Sequence, residues 1–168
     1  MARFVMKQVL AYMELTRPPA PLLIGVAVFI GQIVGLGKLP EPGLLFPPFT
    51  ASVLMTASSF VVNDVIDYEI DLVNRPRAPL PSGRVSRRSA LLFALSLFVA
   101  CFILSLPTGL PSIIFLNSMY ALSILYSLRL KEAGLLGNIT VALCVTASFA
   151  YGSLTATGWF DLTVLRIA

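Results

Sequence analysis

The stretch Asn63-Asp64-Val65-Ile66-Asp67-Tyr68-Glu69-Ile70-Asp71 leaves a long apolar run and leads into Asn74-Arg75-Pro76-Arg77-Ala78-Pro79-Leu80-Pro81-Ser82-Gly83-Arg84. Its aspartates stand three and four residues apart. Continued as a helix, this spacing puts Asp64, Asp67 and Asp71 on one face, because residues three or four apart are neighbours on a helix surface. Carboxylates packed so closely repel each other, and divalent cations between them relieve the repulsion. Hard Mg2+ takes carboxylates while keeping water and phosphate oxygens in its shell. A solvated loop between apolar segments is the plain alternative. Against it stands the order of charges: acids extend the helix and bases follow, so metal ligands lie beside phosphate-binding groups.

Composition identifies the solvent. With 57% hydrophobic and 12% charged residues and a mean hydropathy of +0.89, the 168-residue chain is far more apolar than a soluble domain. It reads as an integral membrane protein, all-α, a polytopic helical bundle. Apolar segments recur to the end and no early small-residue cleavage pattern appears, so a secretory leader is not the explanation. Cys101 and Cys144 each sit inside an apolar run. Without histidine they supply neither a disulfide framework nor a soft-metal site.

Residues 1–17 carry Arg3, Lys7 and Arg17 among Phe4, Val5, Val9, Leu10 and Leu15, a pattern for an amphipathic interfacial helix. Pro18, Pro19 and Pro21 mark entry into the first crossing, Ala20 to about Leu36, where Gly25, Gly31 and Gly35 offer close helix contact. The Gly- and Pro-rich run 37–48 reads as a connection, and the second crossing runs from Leu44 or Phe49 to about Val62. Further crossings are expected at Ala90–Leu106, Ser112–Tyr126 and Leu135–Leu154, with Trp159 and Phe160 as an interfacial anchor. The chain is thus one membrane domain of about five spans, with residues 63–88 as its large polar connection.

Alternate connections divide the positive charge unequally. One side receives Arg3, Lys7, Arg17, Arg75, Arg77, Arg84, Arg87, Arg88, Arg129 and Lys131; the other receives Lys38 and Arg166. Positive residues favour the cytoplasmic side, so the N-terminus and both polar connections are expected there, in a multi-pass protein of the cell membrane. The net charge of +4 needs no nucleic acid to explain it, since the aromatics are too few and the arginine cluster too short for a stacking platform. The two connections then read as one mouth. Asp64, Asp67 and Asp71 would hold Mg2+, and Arg75, Arg77, Arg84, Arg129 or Lys131 would neutralise a diphosphate whose charge grows as it departs. Asn63, Asn117 and Asn138 are candidate orienting groups. Tyr120 and Tyr126 are candidates to line the site or face an allylic cation, with a packing role as the alternative for each.

Several motifs resemble the UbiA superfamily of intramembrane prenyltransferases: Asn63-Asp64-x-x-Asp67-x-x-x-Asp71, Asn74-Arg75-Pro76, Pro79-Leu80-Pro81-Ser82-Gly83-Arg84-Val85-Ser86, Tyr126-Ser127-x-x-Leu130-Lys131 and Gly137-Asn138. The likeness runs from Arg17-Pro18 into the fifth crossing. It implies Mg2+-dependent transfer of an isoprenyl group from its diphosphate to a membrane-associated acceptor within the lipid bilayer. It also implies a first metal-diphosphate half-site at Asn63, Asp64, Asp67 and Asp71, with Tyr126 and Lys131 near the diphosphate or the reacting carbon. The loop is most similar to that of archaeal digeranylgeranylglyceryl phosphate synthases, implying a geranylgeranyl donor and a geranylgeranylglyceryl phosphate acceptor. A quinone- or chlorophyll-type acceptor is the alternative.

Three departures qualify the likeness. Pro19-Ala20 follows Arg17-Pro18 where the family commonly has an asparagine, and Ala78 precedes Pro79 where an arginine is common. The family resembles a nine-helix bundle with a second Asp-rich motif, whereas here Asp161 is solitary and falls on the predicted opposite side. The last residues, 164–168, look like the start of a sixth crossing. The chain therefore resembles the N-terminal half of such an enzyme and is expected to bind diphosphate but to turn it over poorly, unless a C-terminal half or a second copy completes it. A noncatalytic fragment retaining a diphosphate- or partner-binding surface is the other reading.

Overall fold

The structure, a computed structural model, describes residues 2–159. The readings for the side chains of Arg3 and Phe4, for Phe160, Asp161 and Arg166, and for the start of a sixth crossing lie outside the described residues. Helix α1 (Ala2–Thr16) is followed by α2 (Pro19–Leu36), α3 (Pro42–Ile66), the short α4 (Tyr68–Asn74), α5 (Arg87–Ser105), α6 (Leu110–Leu125) and α7 (Leu135–Thr157). A 3-10 turn at Leu106–Thr108 links α5 to α6, and a π-helical turn at Tyr126–Leu130 prolongs α6. Among the described residues, five helices are long and apolar enough to cross a membrane. They correspond to the five expected spans, since only a helix satisfies its own backbone in hydrocarbon.

One boundary differs from expectation. The run 42–48 is the opening of α3, with Pro47 and Pro48 inside the helix, so the connection is shorter than expected and, of the two starts left open, Leu44 is nearer than Phe49. Proline removes the N–H that would bond four residues back. Pro48 thereby frees the carbonyl of Leu44, and the buried Gln32 of α2 donates its Nε2–H to that oxygen at 2.8 Å. A side chain from a neighbouring helix thus supplies the missing donor, which is how membrane helices accommodate interior proline. The same bond pins α2 to the first turns of α3.

Small residues let the helices approach. A methyl on Gly31 would collide with the backbone of Phe149 in α7, and one on Gly152 with the backbone of Val28 and Gln32 in α2. The close contact expected of Gly31 and Gly35 therefore exists, and its partner is α7. Gly25 instead packs against Phe49 and Val53 of α3. The core has two parts. Val28, Ala51, Met55, Cys101, Leu116 and Tyr151 fill the middle of the bundle. Ala11 and Leu15 of α1 meet Val61, Val65, Leu80, Val85, Ala90 and Ala94 at one end. This second cluster fastens the amphipathic α1 and the loop after α4 to the end of the bundle that carries the aspartates.

Candidate functional site

The helix ladder runs through the Asp-rich stretch. Although α3 ends at Ile66, the Asp67 N–H donates to the Asn63 carbonyl at 2.9 Å and the Asp71 N–H to the Asp67 carbonyl at 2.8 Å. Asp64, Asp67 and Asp71 therefore share a face, as their spacing predicts, and all three are buried. Glu69 points away, is exposed, and meets Arg87 at 3.7 Å.

Buried carboxylates need partners, and each has one. Asp64 pairs with Arg17 and lies 3.6 Å from Arg75. Asp71 meets Arg75 at 3.4 Å, and Asp67 pairs with Lys131. Asn63 donates its Nδ2–H to Asp67 Oδ2 at 2.8 Å and accepts from Ser127 at 3.0 Å. A polar network thus ties the end of α3 to the turn after α6.

That turn has its own geometry. The Lys131 N–H donates to the Tyr126 carbonyl at 2.9 Å, five residues back, so the segment is wound wider than an α-helix. In an α-helix, residues five apart stand roughly 140° from each other around the axis. The wider turn brings Tyr126, Ser127 and Lys131 to the same cavity. π turns of this kind recur at functional sites.

The cavity measures about 790 Å³. At its polar end stand Arg17, Asn63, Asp67, Asp71, Arg75 and Lys131; its walls are Ile24, Val28, Met55, Phe115, Met119, Val145 and Tyr151, among others. Tyr120 also lines it, held by a 2.9 Å hydrogen bond with Ser58 and stacked on Phe98. The space is charged at one end and mainly apolar elsewhere, with Ser52, Thr56, Ser59, Ser123, Thr140 and Ser148 also in its lining. Such a shape suits an amphiphile with an anionic head.

Asn63, Asp67, Asp71, Arg75, Tyr120, Tyr126 and Lys131 therefore come together, with Asp64 directly behind them. The other sequence candidates do not join them. Arg77 and Arg129 are exposed and outside the cavity lining, and Arg84 turns away to Glu14 at 2.8 Å. Asn117 donates back to the Ile113 carbonyl of its own helix at 2.8 Å. Asn138 is exposed at the start of α7. Arg17, which the sequence places in the interfacial segment and at the start of the family likeness but not among the site candidates, belongs to the site. Its backbone takes φ +48, a left-handed conformation uncommon for a side-chain-bearing residue, and its guanidinium rests 5.1 Å from the centre of the Phe60 ring.

Among the described residues, no three acidic, histidine or cysteine side chains close into a self-contained metal cage. The donors suit Mg2+ in another way, because that ion is usually held by one or two carboxylates with water and substrate phosphate completing the octahedron. Asp67 and Asp71 face the cavity and could supply those carboxylates, while Asp64 holds Arg17 and Arg75 in place.

The model of the UbiA prenyltransferase family matches residues 23–168. The chain belongs to that family. A digeranylgeranylglyceryl phosphate synthase of Thermococcus gammatolerans is 38% identical over 144 residues, covering 86% of this chain and 52% of the relative. One from Methanoculleus marisnigri is 38% identical over 148 residues, covering 87% and 52%. The chain thus spans about half the length of these relatives. Among solved structures, a digeranylgeranylglyceryl phosphate synthase superposes with a TM-score of 0.87 at 24% identity, covering 94% of this chain and 56% of that one. A UbiA homolog from Archaeoglobus fulgidus, bound to GPP and Mg2+, gives 0.77 at 20% identity, covering 93% and 57%. These superpositions establish the UbiA-type membrane fold.

Proposed function

We propose that the cavity is the donor half-site of a Mg2+-dependent prenyltransferase that moves a geranylgeranyl group from its diphosphate to geranylgeranylglyceryl phosphate in archaeal lipid synthesis. The observation that carries this reading is the meeting of buried Asp67 and Asp71 with Arg17, Arg75 and Lys131 at one end of a mainly apolar cavity. An anionic head fits the cations, and a hydrocarbon tail fits the walls. The relatives named for this reaction support the choice of donor and acceptor.

Asp67 and Asp71 would hold Mg2+, which would supply positive charge to the departing diphosphate. The chain's own residues do the rest. Lys131 and Arg75 line the polar end, where they would meet the negative charge growing on the leaving group, and preformed cations aimed at developing charge lower the barrier without reorganising. Asn63 holds Asp67 through one amide hydrogen bond while Ser127 fixes Asn63 in turn. Tyr120 and Tyr126 present aromatic rings to the cavity, where an allylic cation is stabilised by their π faces.

We place this end of the bundle on the cytoplasmic face of the cell membrane, because Arg17, Arg75, Arg77, Arg84, Arg87, Arg88, Arg129 and Lys131 gather there while Lys38 lies at the other end. The 168 residues hold the donor site but not the surroundings that the longer relatives build from their remaining length, so they bind diphosphate and turn it over poorly. The test is equilibrium binding and turnover of geranylgeranyl diphosphate by the purified chain in nanodiscs, with its oligomeric state measured. Mg2+-dependent binding with little turnover is expected; robust turnover by the monomer contradicts the half-site reading. A longer form that consumes 4-hydroxybenzoate and ignores the phosphoglycerol acceptor contradicts the acceptor.

A further inference from the structure

Arg84 stands outside the cavity, yet its guanidinium is fully engaged. Its Nη1 meets Glu14 of α1 at 2.8 Å, its Nη2 donates to the Arg77 carbonyl at 2.7 Å, and its Nε donates to Ser82 Oγ at 3.1 Å. The loop it grips is the one that leaves α4 after Asn74, three residues past Asp71. The loop's Ala78, Leu80 and Val85 are buried, the last two against Ala11 and Leu15 of α1. Within the loop, the Ala78 N–H donates to the Arg75 carbonyl at 2.9 Å. The carbonyls of Arg75 and Arg77 are thus both fixed, and Arg75 is the residue that bridges Asp64 and Asp71.

The N-terminal segment reaches this end of the bundle twice. Glu14 of α1 meets the loop, and Arg17, just past the end of α1, meets Asp64. The two cations at Asp64 therefore arrive on separate segments, Arg17 just past the end of α1 and Arg75 at the start of the loop. Among the described residues, Arg84 and Glu14 form the ion pair that joins α1 directly to the loop.

We propose that Glu14 and Arg84 form a clamp that fixes the loop against α1, and thereby sets Arg75 relative to Arg17 and Asp64. Both are positioning residues for the diphosphate site; neither touches the substrate. The coupling to binding rests on the functional reading above, whereas the clamp rests on the fold alone. Because the pair is half exposed, its loss loosens the loop without unfolding the bundle.

Two measurements on the whole chain in nanodiscs decide the matter. Amide hydrogen exchange over residues 75–86 reads the clamp, with α2 and α7 as internal controls. A titration with geranylgeranyl diphosphate, with and without Mg2+, reads the coupling. Glu14→Gln should speed exchange in the loop and weaken binding roughly threefold, the scale of one exposed ion pair. Glu14→Lys sets like charges against each other and should weaken binding about tenfold. Glu14→Lys combined with Arg84→Glu restores opposite charges and should recover most of both losses. Setting like charges at the other exposed pair, with Glu69→Lys beside Arg87, should leave binding as in wild type.

Unchanged loop exchange in Glu14→Lys overturns the clamp. Faster exchange with unchanged affinity, or no recovery in the charge swap, overturns the positioning role. If the wild-type chain binds no diphosphate, the functional reading and the coupling fall together, while loop exchange still decides whether the clamp exists.

Discussion

The seam between α2 and α7 permits a sharp test by adding one methyl group. A Cβ built on Gly152 stands 2.9 Å from the Val28 carbonyl carbon and 3.0 Å from the Gln32 nitrogen, and overlaps the Val28 carbonyl oxygen. All of these are backbone atoms and cannot rotate away, so Gly152→Ala must part the helices. Overpacking of this kind costs about 1–3 kcal/mol, and the rigidity of the obstacle puts Gly152→Ala near about 3 kcal/mol. For a chain of this length, that corresponds to a fall in Tm of roughly 6–12 °C. Gly31→Ala strikes the Phe149 backbone across the same seam and should cost about as much. The double variant should cost less than the sum, because the first methyl already separates the helices. Gly43→Ala meets nothing within 4 Å in α3 and should raise stability by about 0.5 kcal/mol through helix propensity. Thermal unfolding in nanodiscs, read by tryptophan fluorescence and circular dichroism, gives the values. A Gly152→Ala protein melting within about a degree of wild type, far less than the shift worked above, would refute the packing of α2 on α7.

Other changes have equally definite expectations. Gln32→Leu strands the Leu44 carbonyl that Pro48 has freed and should cost about 1–2 kcal/mol in the same unfolding assay. Lys131→Gln removes the cation beside Asp67 and should weaken binding of geranylgeranyl diphosphate by about tenfold or more, the scale of a lost charged hydrogen bond. Arg129→Gln, on the exposed side of the same turn, should change that affinity less than about twofold. Reporter fusions after Gly37 and Arg84 should read external and cytoplasmic respectively; the opposite pair of signals would reverse the assigned orientation.

Much of this architecture is written in local patterns. Apolar segments about 20 residues long define the spans, and three- and four-residue spacing alone places Asp64, Asp67 and Asp71 on a shared face. What the sequence does not disclose depends on distant partners or on irregular backbone. Pro47 and Pro48 look like loop residues until Gln32, an apparently ordinary polar residue in another helix, is seen to complete the ladder. Tyr126 and Lys131 appear to diverge at α-helical pitch, and only the π turn brings them together. That turn also explains why Arg129 is displaced from the mouth to which its place in the sequence assigned it. Arg17 carried a legible signal, a charge at the entrance to a membrane helix, but its reach to Asp64 depends on a left-handed backbone that no local pattern announces. Arg84 shows the converse, since a basic residue in a recognisable loop motif is occupied by α1.

The central claim is that the buried aspartates and their cations form a metal-dependent diphosphate site. Its most direct test compares Asp67→Asn with Glu69→Gln, two neutralised acids two positions apart, one buried in the cavity network and one exposed. Geranylgeranyl diphosphate is titrated into each variant in nanodiscs with Mg2+ and with the metal chelated. Asp67→Asn should lose at least about tenfold in the Mg2+-dependent affinity while keeping its fold, on the scale of a charged interaction removed. Glu69→Gln should bind like wild type. Equal and small effects in both folded variants would contradict the account and leave the Asp-rich stretch as a solvated connection.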